Sequence, residues 1–439
     1  LLIANDYRRF NYTPYAYRTK NYGKTWERIV DENDVQSYTL CIIEDPENAN
    51  LLFLGTDDGL YVSLDAGNKW TKWTSGFPTV PVKDLVIHPR EHDLVIGTFG
   101  RAAWVLDDIR PLRAIANGNV LDKKAALFTP PTAYQAAYQQ PTGSRFGADA
   151  MYHGENRNGG GILTYYINKP EVKKSDAKTK AEDKKTVKFD SVKFEIFDGD
   201  RQIRTLKFKA PKENGIHKTT WYLREKGVDR PSRRIRKSTR EPAGVTVKPG
   251  TYKVTMTFGD VTSEQNIKVE FDPRLTISDE AINQKYNASK ELESYQAKIA
   301  AIVKQLVESK NTATSIKSDL AKEDKKKYKD EIKKSTEVIK KIDDLIAAYL
   351  GKIDKRQGIT RNPEVTVTQR LSSASRYVGS RFGLQSATEK QLMNQFKEAY
   401  KKAVSDTNSF FNNDWVNFKS SVENINISPF KEVKIYSQN

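Results

Sequence analysis

Two segments of this chain can be laid over each other, and the repeat limits what residues 1–115 can fold into. Thr19-Lys20-Asn21-Tyr22-Gly23-Lys24-Thr25-Trp26 aligns with Ser63-Leu64-Asp65-Ala66-Gly67-Asn68-Lys69-Trp70 at the hydroxyl, the Asn or Asp, the glycine and the tryptophan, at an offset of 44 residues. A second pair has nearly the same period. Ile43-Glu44-Asp45-Pro46 and Leu51-Leu52-Phe53-Leu54-Gly55-Thr56 match Ile87-His88-Pro89 and Leu94-Val95-Ile96-Gly97-Thr98, with prolines 43 and glycines 42 residues apart. A period in the low forties, filled with short β-rich runs and polar turns, suits one four-stranded blade of a propeller. A closed propeller takes roughly 4 to 8 blades whereas this stretch supplies about two, so the expectation is an incomplete propeller with further blades before Leu1. The turn motif has a mechanical logic. A short polar side chain bonds backbone amides, the glycine supplies a positive φ, and the tryptophan packs the turn onto the blade.

Beyond residue 115 the pattern changes twice. Residues 116–160 read as a connector with apolar anchors at Leu127-Phe128-Thr129-Pro130-Pro131 and around Tyr134 and Tyr138, ending in the glycine-rich run Gly154 to Gly161. Short alternating runs follow at Leu163 to Ile167, Val192 to Phe197, Ile203 to Phe208, His217 to Leu223, Thr251 to Phe258 and Asn266 to Phe271. They predict a small fibronectin- or immunoglobulin-like β-sandwich over 161–273. Two polar insertions interrupt it: a Lys/Glu/Asp run from Glu171 to Lys188, expected as a loop, and a basic stretch from Arg224 to Glu241 carrying Arg230, Arg233, Arg234, Arg236 and Arg240. After Asp272-Pro273-Arg274 the apolar residues take helical spacing, as in Tyr295, Ile299, Ile302, Leu306 and Val338, Ile342, Leu345, Tyr349. Ser278 and Ser386 mark helix starts, and an antiparallel helical bundle is expected over 274–435, turning near Lys322 to Lys327 and broken at Gly358 to Pro363.

Charge and cysteine content narrow the function classes. The formal net charge of +17 permits an acidic partner, nucleic acid or an anionic envelope without choosing among them. The basic stretch lacks interleaved aromatics beyond Trp221-Tyr222 at its edge, which argues against nucleic acid. Cys41 is the sole cysteine, so no internal disulfide framework exists, and its place in Leu40-Cys41-Ile42-Ile43 reads as a packed core thiol. No apolar run approaches the ~20 residues of a membrane-crossing helix. The start, Leu1-Leu2-Ile3-Ala4, carries neither Met nor signal peptide and reads as truncated.

The residues Thr19, Asn21, Gly23, Trp26, Ser63, Asp65, Gly67 and Trp70 resemble the Asp-box of BNR-repeat proteins such as sialidases and sortilin-type propellers, with Asn21 where an Asp is usual. Gly97-Thr98-Phe99-Gly100-Arg101-Ala102-Ala103-Trp104-Val105-Leu106-Asp107-Asp108-Ile109 is similar to the last blade of large sortilin-like BNR proteins of Bacteroidota-type bacteria, often labelled glycosyl hydrolases. There a Gly-Thr-His-Gly-Arg pattern is usual, and Phe99 stands in place of that His. In the same family a Gly-Glu-Asn segment precedes a fibronectin-like domain and a helical end follows it, so the resemblance covers nearly the whole chain. It implies a multidomain β plus α protein: last propeller blades at 1–115, a connector at 116–160, the sandwich at 161–273 and the bundle at 274–435. It also implies an extracytoplasmic location in a Gram-negative bacterium (periplasm, cell surface or secreted) and a protein or peptide partner in an outer-membrane or cell-surface complex, with a glycan as another ligand.

Catalysis finds little footing in these residues. Most glycosidases need two carboxylates across a cleft. Asp107-Asp108 is the one tempting pair, with Arg101 nearby, yet neighbours on a strand point to opposite faces. His88 and His92 have metal-like spacing, but Pro89 makes the segment a turn, so no metal and no cofactor is expected. The reading is therefore a binding or scaffold protein with no catalytic residue assigned, and Arg101, Asp107, Asp108, Arg230, Arg233 and Arg234 are the candidate binding residues. A glycan-acting hydrolase whose catalytic groups lie in blades outside this sequence remains the alternative.

Overall fold

The computed structural model describes residues 1–136, 157–170, 188–235, 240–353 and 365–425. Tyr138, the Gly-Glu-Asn segment at 154–156, most of the charged run (171–187), Arg236 and the expected break at Gly358 to Pro363 lie outside the described residues. The chain is mixed β and α, with sheets first, antiparallel apart from the parallel pairing of Ala133–Gln135 with Val261–Phe271, and helices last, and divides into two compact units. One holds Leu1–Leu223 with Pro249–Leu275; the other holds Arg224–Lys248 with Thr276–Asn439.

The first unit opens with three meandering sheets. These are β1 (Leu2–Asp6), β2 (Asn11–Arg18) and β3 (Glu27–Arg28); then β4 (Thr39–Glu44), β5 (Leu52–Thr56), β6 (Gly59–Ser63) and β7 (Thr71–Lys72); then β8 (Val82–Ile87), β9 (Leu94–Thr98) and β10 (Ala103–Leu106). Every residue of β5 and β6 is buried. The period-two alternation of a strand explains why. Leu52, Leu54 and Tyr61 pack with Ala16, Ile29, Val35 and Trp70, whereas Phe53, Leu60 and Val62 pack with Val82, Leu85, Leu94 and Ile96. The middle sheet is thus sandwiched between its neighbours, and each fully buried large side chain contributes roughly 1.5–3 kcal/mol. Gly55 makes the second contact possible, since a Cβ there would come within 2.4 Å of the Cys41 Sγ and 2.8 Å of the Val82 carbonyl. Its repeat partner Gly97 has more room, the nearest atom lying 3.6 Å away.

The helix α1 (Arg110–Ala116) closes this part, with Pro111 in its first turn, where a missing N–H costs no helical bond. The stretch read as a connector contributes two strands, β11 (Ala125–Leu127) and β12 (Ala133–Gln135). Next come β13 (Gly161–Ile167), β14 (Ser191–Asp198), β15 (Arg201–Lys209) and β16 (Gly215–Trp221). The chain then leaves this unit for β17 (Arg224–Lys226) and β18 (Ala243–Thr246), which pair with each other, and returns with β19 (Gly250–Phe258) and β20 (Val261–Phe271). One sheet has the order β11-β13-β16, the other β12-β20-β19-β14-β15. Alternating Val192, Phe194, Ile196 and Tyr252, Val254, Met256, Phe258 supply buried residues of the larger sheet.

The second unit is built on α2 (Asp279–Asp324), α3 (Lys329–Leu350), α4 (Val367–Ser380), α5 (Ala387–Ser409) and α6 (Val416–Glu423), with a π-helical segment at Phe410–Trp415 before α6. Ser278 caps α2 by accepting the Ala281 amide, Ser386 caps α5 through the Glu389 amide, and Thr366 with Gln369 forms a reciprocal capping box on α4. Ile299, Val303, Leu306, Ile342, Tyr349, Leu371, Phe396 and Phe418 form one core. The basic stretch, read from sequence as an insertion that interrupts the sandwich, makes its long-range contacts with the helices. Buried Glu225 of β17 accepts the Tyr286 hydroxyl at 2.6 Å and pairs with Lys290 at 3.4 Å, and Arg233 donates to the Gly351 carbonyl beyond the end of α3. These long-range contacts make residues 224–248 part of the helical unit.

Candidate functional site

Both repeat turns fold by the same hydrogen bonds. In the second, the Ser63 hydroxyl donates to Asp65 Oδ1 and accepts the Gly67 amide, both at 2.8 Å, while Asp65 Oδ1 accepts the Lys69 amide at 2.9 Å. In the first, the Thr19 hydroxyl donates to Asn21 Oδ1 at 3.1 Å and accepts the Gly23 amide at 2.8 Å, and Asn21 Oδ1 accepts the Thr25 amide at 2.9 Å. An Asn carbonyl oxygen therefore replaces the carboxylate without altering the turn. Gly23 and Gly67 have φ of 85° and 88°, which favours glycine. The tryptophans differ. Trp70 is buried and donates Nε1–H to the Ile29 carbonyl, which follows the preceding sheet, whereas Trp26 is 47 % exposed. The indole thus packs on the sheet before its own, and Trp26 sits on the first sheet of this chain. Asp65→Ala is expected to cost about 1–2 kcal/mol, because it strips acceptors from turn amides. Asn21→Ala, in an exposed turn, is expected to cost less; urea denaturation followed by tryptophan fluorescence compares the two.

Downstream of the repeat, Asp107 and Asp108 line a cavity of about 150 Å³ with Pro131, Arg157, Asn158, Ile162, Lys218 and Thr220. The opposite-face argument fails for the two carboxylates because β10 ends at Leu106 and Asp108 has a φ of 57°, off the strand path. Arg157 gathers three acids, reaching Asp93 at 2.5 Å, Glu91 at 3.4 Å and Asp107 at 3.5 Å. Asp93 in turn accepts the Asp108 amide at 2.8 Å. Arg110 pairs with Asp108 Oδ1 at 2.6 Å, while buried Asp108 Oδ2 has no hydrogen-bond partner among the described residues. Among the described residues Lys218 reaches only the Asp107 carbonyl, at 3.3 Å. The cavity therefore offers an ammonium without a carboxylate partner alongside an acid-rich wall, a lining able to hold a polar ligand by donated and accepted hydrogen bonds.

Arg157, Asn158, Lys218 and Thr220 were not singled out by sequence. Arg157 hid in a glycine-rich run that reads as a loop, and Lys218 and Thr220 share one face of β16 by alternation alone. The other candidates lie apart from this cavity. Arg101 sits exposed in the β9–β10 turn, its side chain donating to the Gly100 carbonyl and its own carbonyl accepting the Trp104 indole N–H. Arg233 is engaged with Gly351, and Arg230 and Arg234 are exposed. His88 Nδ1 accepts the Arg90 and Glu91 amides, a turn role, and His92 Nδ1 lies 2.9 Å from Arg113. Among the described residues no cluster of His, Cys, Asp and Glu suits a metal ion. Burial pushes the Cys41 thiol up to about 12, which leaves it unreactive. No described helix is long and apolar enough to cross a membrane.

Residues 15–108 match the Sortilin-Vps10 family model, described as sortilin, neurotensin receptor 3. The match spans both turn boxes and ends at Asp108 on the cavity wall. This segment is therefore similar to the sortilin family over about a fifth of the chain. No curated protein and no solved structure matches the chain.

Proposed function

We propose that this chain is an extracytoplasmic binding protein of a Gram-negative bacterial envelope, whose first unit recognises a protein or peptide as part of a surface complex. The observation that carries this reading is the sortilin match over residues 15–108, whose description names a receptor. The polar cavity that begins where the match ends supports it, because Lys218 and the Asp107–Asp108 wall supply complementary charges for a peptide segment. The test is selection from a displayed peptide library on the purified full chain, followed by calorimetry of the selected sequences. Saturable binding is expected, weakened at least tenfold, about 1.4 kcal/mol, by Lys218→Glu or Asp107→Lys. Failure to select any saturable peptide, together with sugar release from a glycan panel, would overturn the reading in favour of a hydrolase.

A further inference from the structure

The first three sheets end in turns that share one side of the unit, and their side chains have no role in the cavity or the core. Thr39, at the start of β4, donates to the Ala4 and Tyr15 carbonyls at 3.1 and 2.8 Å, next to the β1–β2 turn. Thr39 also pairs in register with Thr56, beside the β5–β6 turn. Cys41 contacts the Val82 carbonyl at 3.6 Å, and Val82 pairs with Thr98, where the β9–β10 turn begins. The three turns therefore project from the same end of adjacent sheets.

Two of them carry exposed phenylalanines at their tips. Phe10 is 85 % and Phe99 71 % exposed. Phe10 also has a φ of 61°, a conformation that a bulky residue adopts at a cost and that holds its ring outward. Tyrosines back this turn: Tyr7 stacks on Tyr38 with centroids 4.9 Å apart, Tyr12 lies 6.0 Å from Tyr38, and the Phe10 amide donates to the Tyr7 carbonyl. Cations surround the tips. Arg8 lies over Tyr7 and Lys83 over Phe99, each 5.9 Å from the ring centroid, and Arg101 neighbours Phe99 in its turn. None of these three has a carboxylate partner among the described residues. Of the acids on this end, Asp58 pairs with Lys72 at 2.6 Å and Asp6 with Arg9 at 4.0 Å, Asp57 accepts the Tyr38 hydroxyl, and exposed Asp84 accepts the Leu85 amide.

We propose that this turn end is a contact surface for an anionic phospholipid bilayer, with Phe10 and Phe99 entering the interface and Arg8, Lys83 and Arg101 meeting lipid phosphates. Apolar tips without hydrogen-bonding groups suit the acyl boundary, and unpaired cations beside them supply the charge complementarity that such binding needs. Each cation near a negative surface adds about fivefold in affinity.

Flotation of the full chain with vesicles tests it, comparing phosphatidylglycerol mixed with phosphatidylcholine against phosphatidylcholine alone. The expected result is binding to the mixed vesicles only, weakening as salt rises. Arg8→Glu with Lys83→Glu and Arg101→Glu should lower that binding at least tenfold. Phe10→Gly with Phe99→Ser should do the same at unchanged circular dichroism, since glycine suits the φ at position 10. Equal binding to both vesicle types, or full retention of binding by either variant, overturns the proposal. So does binding of a single-stranded oligonucleotide or a protein through these same residues when the mixed vesicles do not bind.

Discussion

Arg113→Ala is expected to destabilise the first unit by about 3–5 kcal/mol, the range for removing one partner of a buried ion pair. The Arg113 guanidinium, 8 % exposed, donates Nε–H to both oxygens of Asp45 at 2.9 and 2.8 Å and places Nη2 2.7 Å from Asp45 Oδ2. Its Nη1 lies 2.8 Å from Glu47 and 2.9 Å from His92 Nδ1. Asp45 is fully buried, and its remaining contacts are the Glu47 and Asn48 amides. Truncating the arginine leaves that carboxylate charged in a low-dielectric site with two amides to hold it. The helix α1 keeps its other ties to the β4–β5 turn, Asn48 and Asn50 donating to the main-chain carbonyls of residues 113 and 116, so the loss falls on the ion pair itself. Arg113→Lys is expected to recover only part of the loss, because a single ammonium cannot reach Asp45, Glu47 and His92 at once. Urea denaturation followed by tryptophan fluorescence reads mainly this unit, since Trp26, Trp70, Trp73, Trp104 and Trp221 belong to it and Trp415 alone to the other. A loss below about 1 kcal/mol would mean that the pair is not the buried anchor it is taken for here.

The same pair shows where sequence reading stops. Asp45 sits in a repeat that the chain displays openly, yet its partner lies 68 residues away. No periodicity connects them. What could be read was local: the turn boxes, the alternation of β14 and β19, and the serines that cap α2 and α5. Each depends on residues within one or two turns of each other. What could not be read needed the chain to return. Arg157 meets Asp93 across 64 residues, and Glu225 meets Tyr286 across 61, which is why residues 224–248 join the helices although they interrupt a run of strands. The two tryptophans make the point within one motif. Spacing identifies Trp26 and Trp70 alike, but burial is decided by whether a preceding sheet offers an acceptor such as the Ile29 carbonyl. Of the cavity, Asp107 and Asp108 were legible as candidate binding residues, and the opposite-face reason for setting them aside as a catalytic pair failed on one positive φ.

In the helical unit, Glu389→Ala is expected to cost about 3–5 kcal/mol, whereas Arg381→Met combined with Glu389→Leu should match or exceed the parent chain. Glu389 is 2 % and Arg381 10 % exposed at the side chain, and they meet at 3.2 Å through Arg381 Nε. The geometry is poor: Arg381 Nε, Nη1 and Nη2 are all buried without a hydrogen-bond partner among the described residues. Desolvating five N–H donors for one imperfect contact is costly. A second cation is close, with Lys285 donating to the Arg381 carbonyl at 2.9 Å. Burial first, and the Arg381 charge second, hold the Lys285 ammonium below its ordinary range, while Glu389 acts in the opposite sense. Removing Glu389 alone thus leaves the buried Arg381 guanidinium facing the half-buried Lys285 ammonium. Replacing both partners by apolar side chains removes the unmet donors and one of the cations together. Chemical denaturation followed by far-ultraviolet circular dichroism, which the helices of this unit dominate, separates the outcomes. A double variant as damaged as the single one would show that the pair holds the α4–α5 turn by specific bonding and not at an electrostatic cost.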